Sequence, residues 1–297
     1  VRAEIDATMG AGLCDFSLRS PMGDWTPVTR RAPTPATWSE ATGCFVMLPW
    51  PNRVRAGKFV FRGREYDLGV NFADGTAIHG EVRERAWKIR HRTPQSAVLE
   101  FDSRDEKGLT FPWTYLARIR YEVSPEGLEI DLAVTNTSDE AAPFGHGLHP
   151  YFMRRLWADD DGMTLRFAAT GRYPMEAVMP TGALPVDDEM SGAYRRGIVP
   201  PPGLDELFTV DGFDAELTWA GSGVRVRFEA SETATHAALY TPSAGPGVAG
   251  NWLCFEPMTM ATDAANQAEQ GMEGTGLRVL EPGQTLAMDC ALRVERA

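Results

Sequence analysis

The segment Phe144-Gly145-His146-Gly147-Leu148-His149-Pro150-Tyr151-Phe152 carries two of the chain's five histidines within four positions. An imidazole gives or takes a proton near neutral pH without a large perturbation. Glycines on both sides of His146 permit a sharp turn, and Pro150 fixes the backbone just after His149. The segment therefore reads as a loop or strand end that aims an imidazole. Among the segments that could supply a polar group opposite it, Glu256 is the clearest case. It follows Trp252-Leu253-Cys254-Phe255 and precedes Pro257, which places it at the end of a buried strand. A partly desolvated carboxyl has a raised pKa and works as a base near neutrality. Two plainer readings stay open: Glu256 as an arginine-paired carboxylate holding a loop, and His79 and His146 as core histidines bonded to backbone.

Three more segments embed ionisable groups among apolar or turn-forming residues: Pro51-Asn52-Arg53, Ile78-His79-Gly80 and Leu204-Asp205-Glu206-Leu207-Phe208. Arg53, Arg55, Arg62 and Arg64 form a basic cluster that a solvated hairpin face would explain. Arg53 differs, because the tight turn before it would present a planar donor fork to hydroxyls or to an anion. A zinc site built from His79, His146 and His149 with Glu256 as base is conceivable. Strand alternation sends His146 and His149 to opposite faces, however, and no metal is expected.

The elements that must position these groups are strands. Leu128, Ile130, Leu132 and Val134 alternate with polar or small residues, as do Val224, Val226 and Phe228, and Leu286, Met288, Cys290, Leu292 and Val294. Each set is the pattern of a half-buried antiparallel strand. Pro125-Glu126-Gly127, Gly221-Ser222-Gly223 and Arg62-Gly63-Arg64 supply hairpin turns between strand-like runs. Asp263–Glu273 is the one helical stretch expected. No Pro/Gly-rich linker divides the chain, so residues 1–297 read as a single large antiparallel β-sandwich.

The net charge of −12 works against nucleic-acid and anionic-membrane partners, which call for a basic footprint. No apolar run is long enough to span a bilayer. Cys14, Cys44, Cys254 and Cys290 are scattered without a C-x-x-C pair, and Arg2, Glu4 and Asp6 stand where a signal peptide would be basic and then apolar. Reduced thiols in a cytoplasmic protein are the expectation. The chain sets no oligomeric state.

Taken in order, the motifs resemble those of the aldose 1-epimerase (mutarotase) family over roughly residues 44 to 286. PWPNRVRAGK at 49–58 is similar to the family's N-R-x-x-x-G segment, and Asn71 with Ile78-His79-Gly80 to its N…L-H-G. Asn136-Thr137-Ser138 leading to Pro143–Phe152 resembles N-x-S…P-F-G-x-G-x-H-P-Y-F. Residues 251–266 resemble C-x-E-P-x-T…D-A-x-N, and Glu281-Pro282-Gly283 the closing P-G turn. The resemblance implies a galactose-mutarotase-type sandwich and a cofactor-free isomerase of free sugars. It implies Glu256 as general base and His149 as general acid, with Arg53, His79 and Asp205 binding the sugar. Glu206 competes with Asp205, and Trp252 or Phe208 would face the ring. His146 has no catalytic counterpart. Two departures, Asp74-Gly75-Thr76 and Glu81 in place of a second glycine, leave the sugar open. Hexose 6-phosphates, sulfonated sugars and a non-catalytic carbohydrate-binding module on the same fold stay as alternatives.

Overall fold

The computed structural model describes residues 1–243 and 251–296. Its frame is a 15-stranded antiparallel sheet. From one edge the order is Arg2–Asp6, Gly12–Arg19, Cys44–Met47, Gly147–Met153, Trp252–Met258, His236–Tyr240, Asp205–Trp219, Val224–Ala230, Thr285–Arg296, Gly127–Asn136, Tyr115–Ser124, Ser96–Asp102 and Lys88–Arg92. Met163–Arg172 pairs with Asp205–Trp219, and Trp25–Pro27 with Gly12–Arg19. The sheet curls until its two edge strands flank one cavity of about 490 Å³, lined by Ala3 and Ile5 on one side and Ile89 and Arg92 on the other. The Tyr121 hydroxyl donates to the Ala11 carbonyl across the facing layers at 2.8 Å. This is the large antiparallel sandwich that the alternation implied.

The alternating residues behave as their pattern requires. Leu128, Ile130, Leu132 and Val134 are buried, and so are Val224, Val226 and Phe228, and Leu286 through Leu292 at every second position. The three hairpins form between Tyr115–Ser124 and Gly127–Asn136, Asp205–Trp219 and Val224–Ala230, and Lys58–Phe61 and Arg64–Asp67. A helix occupies Ala264–Glu269, within the expected stretch. A second helix, Glu189–Arg196, was not foreseen. The Asp188 carboxylate caps it by accepting from the Ser191 amide, and its Tyr194 packs on Phe167 and Phe208.

Glu256 is not at a strand end, because its strand continues through Pro257 to Met258. Between this strand and Gly147–Met153 the ladder pairs Gly147 with Met258 and Tyr151 with Cys254. Pro150 and Pro257 lie between those two points, and neither can donate to a ladder. The strands run side by side there with the backbone pairing interrupted. His149 and Glu256 face each other across that interruption.

Candidate active site

The continuing register sets two rows on one face of the sheet. Phe45, His149, Glu256, Ala238 and Leu207 form one row; Tyr151, Cys254, Tyr240 and Asp205 form the next. Alternation thus delivers His149, Glu256 and Asp205 to a common surface although they come from three strands far apart in sequence. His149 Nε2 lies 3.1 Å from Glu256 Oε1. Without substrate the two groups therefore touch. Phe45 stacks on the His149 ring at 4.4 Å, and His79 meets that ring edge-on at 4.9 Å.

A pair of short strands, Arg53–Val54 and Ala77–Ile78, carries Arg53 and ends directly before His79. The Asn71 side chain clamps Ile78 through both its amide and its carbonyl, at 2.7 and 3.1 Å. The His79 amide donates to the Asn52 carbonyl at 2.8 Å. Both Asn52 and His79 have positive φ, 52° and 61°, a region that costs a non-glycine residue energy and recurs at functional sites. Gly80, with φ 70°, lies so near Leu48 that a Cβ would stand 2.0 Å from its carbonyl oxygen. Only glycine fits there.

Arg53 forms ion pairs with Asp74 at 2.8 Å and Asp205 at 3.3 Å. Asp205 is thus the acid that faces the site, while Glu206 turns to Arg172 at 2.9 Å. Arg83 pairs with Glu40, and its guanidinium lies over the Phe45 ring. Arg55 turns to Asp263 and Arg62 to Glu281, so the basic run does not converge on the site as a unit. Glu81 accepts from the Thr110 and Phe111 amides and from the Tyr115 hydroxyl, fixing a neighbouring loop. Trp252 is half-buried against Tyr151, whereas Phe208 is sealed in the core.

Burial dominates the electrostatics. It drives the Glu256 carboxyl well above the usual range, with Asp205 adding to the rise and Arg53 opposing it. It pushes His149 down to about 3, with the charges of Arg83, Arg30 and Arg53 adding to the effect, and it lowers His79 as well. Both directions disfavour separated charge and favour an uncharged carboxyl beside a neutral imidazole. Glu256 Oε2, His149 Nδ1 and His79 Nδ1 are buried with no protein partner. Three unsatisfied polar atoms on neighbouring side chains mark a place for a polar ligand.

His146 belongs to the other side of the chain. Its amide donates to Thr259 Oγ1 at 2.9 Å, its ring approaches the Leu286 carbonyl at 3.4 Å, and it is fully buried. The three-histidine metal set is not assembled. His149, Cys254 and Glu256 do bring ligand atoms within 4.8 Å of one another, but Nδ1 of His149 lacks the second partner that orients a ligating imidazole, and its Nε2 is engaged by Glu256.

The aldose 1-epimerase family profile matches residues 7–293. The chain belongs to the aldose 1-epimerase family. Among its relatives is the uncharacterized protein YphB of Escherichia coli K12, 27% identical over 279 residues, covering 92% of this chain and 90% of that protein. A solved candidate aldose 1-epimerase from Escherichia coli K12 superposes with a TM-score of 0.83 at 23% identity, covering 99% of this chain and 96% of that one. The structure of a galactose 1-epimerase from Lactobacillus acidophilus gives 0.72 at 18% identity, with 99% and 93% covered. These similarities establish the mutarotase-like fold of this aldose 1-epimerase family member.

Phe45, Asp74 and Arg30 were not singled out as site residues from the sequence. Phe45 sits in a continuous apolar run, where any ring reads as core. Asp74 had a signal, the Asp-Gly-Thr turn, but nothing in the sequence tied that turn to Arg53.

Proposed function

We propose that this aldose 1-epimerase family protein is a mutarotase that interconverts the α and β anomers of a free sugar, with Glu256 and His149 exchanging protons with the substrate. The contact of His149 Nε2 with Glu256 Oε1 inside a buried site carries the reading. Anomer exchange needs a proton removed from the C1 hydroxyl and a proton delivered to the ring oxygen. The C1–O5 bond then breaks to leave an aldehyde. Rotation about C1–C2 presents the other carbonyl face, and the steps run backwards.

Burial favours the uncharged pair, so the sugar draws the proton onto His149 before the cycle starts from carboxylate and imidazolium; ring opening returns the pair to its uncharged form. Neither step requires exchange with solvent. The sugar separates the two groups on binding, and its hydroxyls replace the contact they make with each other. Arg53, Asp205 and His79 meet further hydroxyls, because a guanidinium donates and a carboxylate accepts. Each positioned acid or base typically contributes about 10²–10⁴-fold. The cycle calls on no redox or group-transfer cofactor.

One observation supports an anionic sugar as a second reading. The Arg30 guanidinium lies 3.8 Å from the Tyr151 ring centroid, and among the described residues it has no carboxylate within ion-pair distance. Arg53 and Arg83, by contrast, are already paired with acids. Following anomer exchange by NMR or polarimetry across neutral, phosphorylated and sulfonated sugars tests both readings. Exchange of a neutral hexose at a rate equal to its anionic analogues removes the second. Catalysis of none of them removes the first and leaves a binding module.

A further inference from the structure

The stretch that follows Glu256 does more than end a strand. Thr259 and His146 exchange hydrogen bonds through their amides, carbonyl and hydroxyl, which ties the stretch to the start of the His149 strand. Four residues later Asp263 adopts φ 59°, ψ 26°, a left-handed conformation. In that conformation its amide donates to the Arg53 carbonyl at 2.8 Å. Its carboxylate accepts from the Arg55 amide at 3.0 Å and from the Asn266 side chain at 2.8 Å. Asn266 in turn bridges the backbone of Lys58 and Val60.

Arg53 is therefore bracketed. One bond holds its own carbonyl and another holds the amide two residues on, and both come from a single buried residue seven positions beyond Glu256. Asp263 precedes the helix Ala264–Glu269 but makes no side-chain cap to it. Its carboxylate is directed at the arginine loop instead. We propose that Asp263 is a positioning residue for sugar binding: it fixes the Arg53 guanidinium at a set place relative to Glu256, so that the binding fork and the base move as one unit. The inference rests on the mutarotase reading, and a displacement of the order of 1 Å in such a unit is enough to cost about 100-fold.

The test uses the whole chain and the sugar it exchanges best. In Asp263→Gly the carboxylate is lost while the left-handed backbone is relaxed, because glycine adopts positive φ freely. In Asp263→Asn an acceptor oxygen remains and the conformation is tolerated. We expect Asp263→Gly to raise KM by about tenfold with kcat changed less than about threefold, and Asp263→Asn to stay within about threefold of wild type in both. Asp263→Gly combined with Arg53→Ala should match Arg53→Ala alone within about twofold, since the bracket has nothing left to position.

Two results would overturn the inference: unchanged kinetics in Asp263→Gly, or full additivity with Arg53→Ala. If Asp263→Gly fails to fold, Asp263→Asn and Asp263→Ser take its place. A rise in KM in Asp263→Asn equal to that in Asp263→Ser would then count against it. A wild-type chain inactive on every sugar sinks the mutarotase reading, an outcome distinct from active wild type with an indifferent Asp263.

Discussion

His149 and Glu256 sit on neighbouring strands with Nε2 and Oε1 3.1 Å apart, at the point where Pro150 and Pro257 interrupt the ladder between them. Both prolines follow directly after the paired residue in sequence. The interruption weakens the backbone link beside the pair and leaves two side chains, not two peptides, facing each other. On the proposed reading, a sugar hydroxyl entering there would displace one side-chain contact.

Glu256→Gln removes the proposed base while preserving shape. The expected loss in kcat is about 10²–10⁴-fold, and His149→Ala should lose a similar amount. Because the two share one proton, the double substitution should cost little more than the worse single one. Exchange spectroscopy of the anomeric protons measures all three. Wild-type turnover in Glu256→Gln would remove Glu256 from the chemistry.

The pH profile of anomer exchange should be a broad plateau spanning neutrality. His149 is held down at about 3, so its second protonation of the pair lies far below the usual histidine range. Glu256 is held up, so loss of the shared proton is moved toward alkaline pH. The two limbs belong to the pair as a whole. An acid limb centred near pH 6.5 would mean a histidine in contact with water, contrary to its burial.

Stability should follow the buried histidines on the acid side. His236, buried against the Tyr173 hydroxyl at 3.1 Å, is lowered to about 4, as is His146. A depressed folded pKa makes the contribution fully present above the unfolded value of about 6.5 and loses it as pH falls toward 4. Each such group adds a slope of up to about 1.4 kcal/mol per pH unit in that window. Denaturant midpoints between pH 7 and 4 should therefore fall, and His236→Gln should flatten the decline. Glu256 acts oppositely, since its raised pKa withdraws stability as pH rises from the unfolded value through the folded one.

Arg53→Lys keeps the charge and loses the planar fork that reaches Asp74 and Asp205 together. KM should rise by about tenfold with a smaller change in kcat, the signature of lost ground-state binding. Asp205→Asn should act in the same direction. Effects confined to kcat in both would place these residues in the chemical step.

Gly80→Ala should be far more damaging than its size suggests. The added Cβ would meet the Leu48 carbonyl oxygen at 2.0 Å, at a positive φ, and neither backbone can move without shifting His79. We expect more than about 3 kcal/mol of destabilisation, at the level seen when strain and overpacking combine. Thermal unfolding of the variant checks it.

The strands were legible because period-2 alternation is a direct imprint of a sheet with one buried face, and the turn glycines marked their ends. His149, Glu256, Arg53 and Asp205 stood out by their flanking residues and by the family's ordered motifs, and the structure brings them into contact in pairs. What the sequence withheld was adjacency. Nothing in it says that Asp205 and not Glu206 faces Arg53; that follows from which residue stands opposite Tyr240 in the sheet. The contact between His149 and Glu256 was equally hidden, because it depends on the register of two strands about a hundred residues apart. The helix Glu189–Arg196 carries few apolar residues, so its period is faint. Arg30 gave no signal because its partner is a ring, not an acid.

The row Phe45, His149, Glu256, Ala238, Leu207 draws one residue from each of five strands spread across most of the chain. Such a row has high contact order throughout, and topologies of this kind fold slowly because loop closure precedes any reward from pairing. No fragment shorter than residues 45–256 contains the row, and a one-residue slip of any member strand would turn its side chain to the opposite face. Catalysis is then a readout of completed topology: on refolding from denaturant, anomer exchange should return with the last kinetic phase, after most of the strand signal has already recovered.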